Sequence, residues 1–479
     1  DCMAEKIGWT SLRQRIIDEN PQVVCVSESH ALYINETLKL ISLVHSLCPE
    51  AYIIAGGGHF ANMAQTILLQ KHPIDFIVIG EGEITLGELL PTLKKRDTKK
   101  DLKMDQGDFS NIDGLAYLQG EKVTFTNPRS LIEDLDTLPM PAYDLMPMDR
   151  YGQSKYLFSP GGITIEHSRG CVYSCHFCVW WTQMAERKKL DTEQVEVRPR
   201  WRTKSIEKVL EEINYLQHEF NKHCFIFVDA TWNIDSNWNL KFSEEIIKRK
   251  IRINWFGFMR ADYLLRDEKS GTLNKMVSAG LSHICIGLEH LPQFIQHNYG
   301  KKFLQENAGI EVVKLFRKKY PTVFLQTTFI VGHEDESRET IVDLKKYVKK
   351  VRPDFPAFHF LTPVPGTKVY SEAVANNKLE ETNFERYDWN TPIMKTKYLS
   401  REELQYEVYL LYKNSVGPIW LLRGLFSRST YKRNMYIWWI IVTFKVIGTT
   451  FKERLLKNTS STNVKNDVFN LITPNWYKK

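Results

Sequence analysis

Three cysteines fall within the run Ser168-Arg169-Gly170-Cys171-Val172-Tyr173-Ser174-Cys175-His176-Phe177-Cys178. The spacing is C-x3-C-x2-C. The whole chain of 479 residues holds only 8 cysteines, so such crowding is not a matter of composition. Three thiolates on one short loop can hold three irons of a [4Fe–4S] cluster and leave the fourth iron without a protein ligand. An open coordination position serves chemistry, whereas a pure electron carrier closes it. Zinc is the rival metal. It asks for four ligands, often as two C-x2-C pairs, and here only His176, inside the same tight loop, offers itself as a fourth. Plain structural thiols are the third reading.

Such a loop needs a rigid platform. Short apolar runs at 163–166, 225–228, 253–258, 284–288, 324–331 and 357–361 read as strands, with helical patterns between them at 206–216, 243–249 and 310–318. Six strand–helix units predict a partial (β/α)6 barrel, with reactive residues at the C-terminal strand ends. The cysteines follow directly on the first of these strands. An earlier alternation has strands at 23–26, 52–55 and 76–79, the last two running into Gly56-Gly57-Gly58-His59 and Gly80-Glu81-Gly82-Glu83. Short strands separated by helices imply a parallel α/β sheet, and ligands bind such sheets at the carboxyl strand ends. Residues 115–118 and 122–125 read as a hairpin, and Leu138-Pro139-Met140-Pro141 with Met146-Pro147 as a stiff linker. The expected domains are 1–130, a 131–160 linker, 161–375 for the barrel and a helical region over 376–479.

The cysteine spacing, at the end of the first strand of a six-unit barrel, resembles the radical SAM superfamily. The resemblance implies a [4Fe–4S] cluster on Cys171, Cys175 and Cys178, with S-adenosylmethionine chelating the open iron. One electron then cleaves the sulfonium and yields a 5′-deoxyadenosyl radical. The resemblance also places Phe177 near the adenine. It assigns cofactor contacts to Asp229, Arg260 and Glu289 at successive strand ends, and to Ile330 in Phe329-Ile330-Val331-Gly332 near Glu336.

The glycine-rich strand ends resemble the cobalamin-binding domain that precedes many such barrels. Ser27, Gly56, Gly57, Gly58, His59, Glu81 and Gly82 are the residues this implies for the nucleotide, and glycine lets the backbone approach a bulky ligand closely. No Asp-x-His-x-x-Gly run is present, so the histidine that ligates cobalt from below is unassigned. His30 is a further candidate contact. The chain opens on Asp1, and the domain is expected to lack its first strand.

Over most of its length the sequence is similar to the anaerobic magnesium-protoporphyrin IX monomethyl ester oxidative cyclase family. The similar segments are Cys178-Val179-Trp180-Trp181, the basic run 198–202, Ser205-Ile206-Glu207-Lys208-Val209 and Tyr387-Asp388-Trp389-Asn390-Thr391-Pro392. The resemblance implies an oxidoreductase acting on a small molecule such as a tetrapyrrole, fed by an electron donor such as a flavodoxin or ferredoxin. A cobalamin-dependent methyltransferase acting on another hydrophobic substrate is the alternative. An iron–sulfur electron carrier is the non-enzymatic reading.

Composition narrows the rest. Lys+Arg at 64 against Asp+Glu at 57 gives a formal charge of +7, too small for this length to imply nucleic acid. A chain of ordinary apolar content with few cysteines is not a disulfide scaffold. No secretory signal is visible, and a cytoplasmic location is expected. The most apolar run, 435–442, would rise only about 12 Å as a helix, against a ~30 Å hydrocarbon core. It reads as a buried helix, with peripheral membrane contact as the alternative.

Overall fold

The computed structural model describes residues 1–95, 109–190, 194–289, 300, 307–415 and 417–456. The N-terminal sheet is built from β1 (Val23–Ser27), β2 (Tyr52–Gly56), β3 (Phe76–Val78), β4 (Leu115–Gln119) and β5 (Lys122–Phe125), in that spatial order. β1, β2 and β3 run parallel, and the β4–β5 hairpin closes the sheet antiparallel. Helices Ile34–Leu47 and Gly58–Leu69 bury Ile41, Val44, Phe60 and Ile67 against Ile53 and Ile77. Strands buried on both faces read as continuous apolar runs, which is why 52–55 and 76–79 stood out.

The second sheet starts with β6 (Gly162–Ile165). Between it and the next barrel strand lie β7 (Ser168–Gly170), β8 (Glu186–Lys189), β9 (Val195–Arg198) and β10 (Trp201–Thr203). β11 (Cys224–Phe227), β12 (Asn254–Met259), β13 (Leu281–Gly287), β14 (Phe324–Val331) and β15 (Phe355–Phe360) complete it. The sheet order is β15-β14-β13-β12-β11-β6, parallel throughout. This is the six-unit parallel arc expected from the sequence.

Side chains alternate across its two faces. Ile163, Ile165, Phe225, Phe227, Ile284, Ile286, Phe329, Val331, Phe358 and Phe360 join the core beneath the surrounding helices. Thr164, Val228 and Phe258 stay accessible on the concave side. The helices begin where chemistry allows. Ser205 caps Ile206–Phe220, Asp235 caps Ser236–Lys248, and Ser337 with Thr340 forms a capping box on Arg338–Val351.

The region beyond 375 differs in part from expectation. Residues 376–400 hold only the short 3-10 turn Phe384–Arg386. The helices start at Arg401–Ser415 and continue through Pro418–Leu425 and Thr430–Leu456. Asp388 accepts N–H bonds from Asn390 and Thr391, so polar side chains, not a helix, satisfy that backbone. Tyr431, Met435 and Tyr436 of the last helix are buried against Phe324 and Phe355 at the amino ends of the barrel strands. Among the described residues no helix is long and apolar enough to cross a membrane.

Candidate cluster and cofactor site

The cysteine loop is held from several directions. At its root, the buried Asp229 carboxylate, just past β11, accepts the N–H groups of His167 (3.2 Å) and Ser168 (2.5 Å) and the Ser168 hydroxyl (2.6 Å). It also faces His167 Nδ1 at 2.8 Å. β7 then pairs antiparallel with β10, Arg169 opposite Arg202 and Gly170 opposite Trp201. Gly170 has φ +83°, and a Cβ there would stand 1.9 Å from the Arg200 carbonyl oxygen, so only glycine fits. The Cys171 N–H donates to that same carbonyl at 3.1 Å.

Further along, the Arg260 guanidinium lies 4.1 Å over the Tyr173 ring while pairing with Asp262. The Tyr173 and Tyr263 hydroxyls meet at 2.6 Å. Cys178 N–H bonds the Cys175 carbonyl, and Trp181 Nε1 donates to it as well.

Cys171 is buried, and Cys175 and Cys178 are partly exposed. Burial, then the neighbouring Cys175 and Cys171 thiols, push the Cys178 thiol up to about 12. Among the described residues, however, no three His, Cys, Asp or Glu groups are drawn together to coordinating distance. The donor set, three thiols on one loop, suits iron–sulfur ligation. His176, the zinc alternative, packs its ring against Gly300. Phe177 is half-buried in the same loop. No disulfide joins any of the eight cysteines.

The other strand-end residues gather at the same end of the sheet. Glu289 follows β13, is buried, adopts φ +59° and bonds the Thr328 carbonyl through its N–H. Its charge reaches His359 on β15, although burial dominates and lowers that imidazole's pKa. Ile330 on β14 is in register with His359. Asp229 and Arg260 hold the cysteine loop through the contacts above.

The carboxyl edge of the N-terminal sheet is packed against this region. Gly57 has φ +87°, and a Cβ on it would lie 2.6 Å from the Glu28 carbonyl oxygen. Gly58 admits Gln183, whose side chain a Cβ would meet at 2.5 Å and which donates to the Ser29 carbonyl. Gln183 comes from the turn just after the third cysteine. His30 sits edge-on to Trp180 and Trp389, with ring centroids 5.3 and 5.6 Å away. His59 is buried edge-on to Phe384, its Nδ1 lacks a partner among the described residues, and burial lowers its pKa to about 4. Ser27 is exposed at the end of β1, beside Gly56.

A glycine cradle and unpartnered imidazole nitrogens at a carboxyl edge suit a bulky nucleotide-bearing ligand. Glu81, at the same strand-end level, is met by groups of the barrel side and of residue 132. Its carboxylate takes Arg202, Arg169 and the Ile132 N–H. Burial alone would raise it, but these partners hold it below the usual carboxylate range. Gly82 opens the helix Gly82–Lys94 beside it. The pairing of β7 with β10 and the β8–β9 hairpin escaped the sequence reading. The hairpin's alternation in Val195-Glu196-Val197-Arg198 was the one available signal.

The model of the radical SAM superfamily matches residues 165–348, and that of the B12 binding domain matches residues 1–90. The chain carries a radical SAM domain and, ahead of it, a B12-binding domain; it is a cobalamin-dependent radical SAM enzyme, with a [4Fe–4S] cluster, S-adenosylmethionine and cobalamin as its cofactors.

Among its relatives is an uncharacterized methyltransferase of Pyrococcus horikoshii, 29% identical, with 84% of this chain and 80% of that protein covered. Another is the anaerobic magnesium-protoporphyrin IX monomethyl ester cyclase of Cereibacter sphaeroides, 27% identical, with 94% and 69% covered. The fold matches that of TsrM, a radical S-adenosylmethionine methyltransferase from Kitasatospora setae with cobalamin and a [4Fe–4S] cluster bound. The TM-score is 0.62 at 15% identity, covering 89% of each chain.

Proposed function

We propose that Cys171, Cys175 and Cys178 hold the cluster and that the enzyme abstracts hydrogen from an apolar small molecule seated on the concave face of the barrel. Oxidative ring closure of the cyclase type is our first reading of the outcome. The observation that carries the proposal is the docking of one site on the other. The glycine edge of the B12-binding domain lies against the turn that follows the cysteines, through Gln183 on Ser29 and Trp180 on His30. Cofactors held at these two places would face one substrate volume. Val228 and Phe258 support an apolar substrate: 42% and 41% exposed, they offer hydrocarbon on the concave side.

When bound, the cluster supplies the electron that cleaves S-adenosylmethionine, and cobalamin supplies one-carbon or redox chemistry. The chain's own part is to fix positions and exclude water. Asp229, Arg260 and Tyr263 hold the loop, and Glu289, Ile330 and His359 line the neighbouring strand ends. We read residues 1–130 as the corrin unit, 131–160 as its linker, 161–375 as the barrel and 376–479 as its C-terminal cover. A flavodoxin or ferredoxin in a reducing cytoplasm would serve as electron source.

Methyl transfer is the second reading, favoured by the methyltransferases among the relatives. Anaerobic reconstitution with iron, sulfide, S-adenosylmethionine and a reductant should release 5′-deoxyadenosine, and Cys175→Ala should abolish that release. Ring closure leaves the substrate carbon count unchanged, whereas methylation adds one CH2 and forms S-adenosylhomocysteine. No deoxyadenosine from the cluster-loaded protein would sink the first reading.

A further inference from the structure

Two carboxylates of Gly80-Glu81-Gly82-Glu83 reach across to the cysteine loop. Glu81 lies just past β3, on the same sheet edge as Gly56 and Gly57. Arg202 Nη1 donates to both its oxygens, at 3.0 and 2.9 Å, and also to the Ile132 carbonyl at 2.7 Å. Arg169 Nη1 donates to Glu81 at 3.0 Å. The same guanidinium reaches Glu83 at 2.8 Å and Glu166 at 2.9 Å. Glu81 and Arg202 are both buried. Arg169 is two residues before Cys171 and directly opposite Arg202 in the β7–β10 pair. One carboxylate of the B12-binding domain thus touches both strands of the β7–β10 pair, the first of which runs into Cys171, and through the Ile132 N–H it also touches the segment that leads to the barrel.

We propose that Glu81 is a positioning residue that sets the placement of the B12-binding domain relative to the iron–sulfur loop. This rests on the reading that Cys171, Cys175 and Cys178 hold the cluster. A buried ion pair stabilises little in net terms, because desolvation offsets the attraction, but it penalises any displacement of its partners heavily. Here the partners belong to the two cofactor units. Arg202 meets both Glu81 oxygens and the Ile132 carbonyl through Nη1 alone, so the contact pins one nitrogen between the B12-binding domain and the segment around residue 132. A glutamate that merely filled the interface would need neither both oxygens on Arg202 Nη1 nor the link to Arg169.

The test compares wild type with Glu81→Gln and Glu83→Gln. Hydrogen–deuterium exchange on the cofactor-free protein should show roughly tenfold faster exchange in Glu81→Gln over residues 168–171 and 200–203, in the other domain from the substitution. Glu83→Gln, which removes a half-exposed partner, should change exchange less than about twofold. In protein carrying reduced cluster and cob(II)alamin, the dipolar distance distribution between the two spins should be narrow in wild type and broad in Glu81→Gln.

Exchange changes confined to residues 80–84 and 132, or an unchanged narrow distribution, would overturn the proposal. If Glu81→Gln does not fold, Arg202→Lys keeps the charge but withdraws the nitrogen that reaches Glu81 and Ile132, and the same two readouts apply. A wild type that assembles no cluster would count against the ligand assignment instead, and the exchange data would still decide the role of Glu81.

Discussion

At the scale of single residues, burial decides much of the chemistry. His59 begins near 6.5 and is lowered to about 4 by desolvation. Between these values the unfolded chain takes up a proton that the folded chain refuses, so acidification favours unfolding. This contribution is present in full above 6.5 and is lost as pH falls toward 4. From pH 7 to 5 it amounts to about 2 kcal/mol. His59→Phe keeps an aromatic ring against Phe384 and cannot titrate. We expect urea midpoints of this variant to fall less than wild type over that interval. Equal losses would show that other groups carry the dependence; His333, also lowered to about 4, contributes with the same sign in both proteins. Asp229 makes a different kind of claim. Three hydrogen bonds and His167 converge on its carboxylate, so Asp229→Ala should cost about 3 kcal/mol and lower the cluster content per chain. Iron and sulfide analysis beside denaturation reads both. A variant that unfolds like wild type would show that the strand pairing alone holds the loop.

Elements were legible where a long apolar run met a clear turn. All six barrel strands overlap runs such as Phe324–Val331, because a strand inside a parallel sheet is mostly apolar on its packed face, where Thr327 is the polar exception in that run. β7 and β10 were not legible. Ser168-Arg169-Gly170 and Trp201-Arg202-Thr203 are three residues each, without alternation, and they pair across about 30 residues of chain. The site was legible in the same uneven way. The cysteine triplet is a spacing, visible in one dimension, whereas Arg260 over Tyr173 and Glu81 on Arg202 are meetings of distant segments. The C-terminal helices show how such a meeting fixes an element. Asp354, just before β15, accepts the Leu325 N–H and pairs with Lys432 (2.6 Å), Tyr436 (2.8 Å) and Arg423 (3.4 Å). Asp354→Ala leaves two cations facing a carboxylate no longer there, a loss of roughly 3 kcal/mol. We expect limited proteolysis to reach Pro418–Leu425 faster in this variant while the barrel core stays resistant. Uniform cleavage of the whole chain would mean that these helices are integral to the barrel and not docked onto it.

For the whole molecule, the question is what keeps two cofactor units in one arrangement. The linker does not hang between them. Lys222 places its ammonium on the Met148 and Tyr151 carbonyls, both at 2.8 Å. Tyr143 donates to Glu212 at 2.5 Å, and Lys204 pairs with that carboxylate at 3.1 Å. The Lys222 and Tyr143 contacts anchor linker backbone and side chain to the barrel helix Ile206–Phe220 or to the residues just past its end, and Lys204 neutralises the Glu212 carboxylate that receives Tyr143. Charges buried here add little net stability, but they leave the linker few alternative paths. Lys222→Ala should therefore separate path from fold. Circular dichroism and the apolar burial of Met148 should persist, while trypsin cleaves at Arg150 or Lys155 at least several-fold faster than in wild type. If cleavage is unchanged, apolar packing of Met148 suffices to route the linker. The arrangement of the two units would then rest on the contacts between their faces, Gln183 on Ser29 and Asn62 on the Pro365 carbonyl among them.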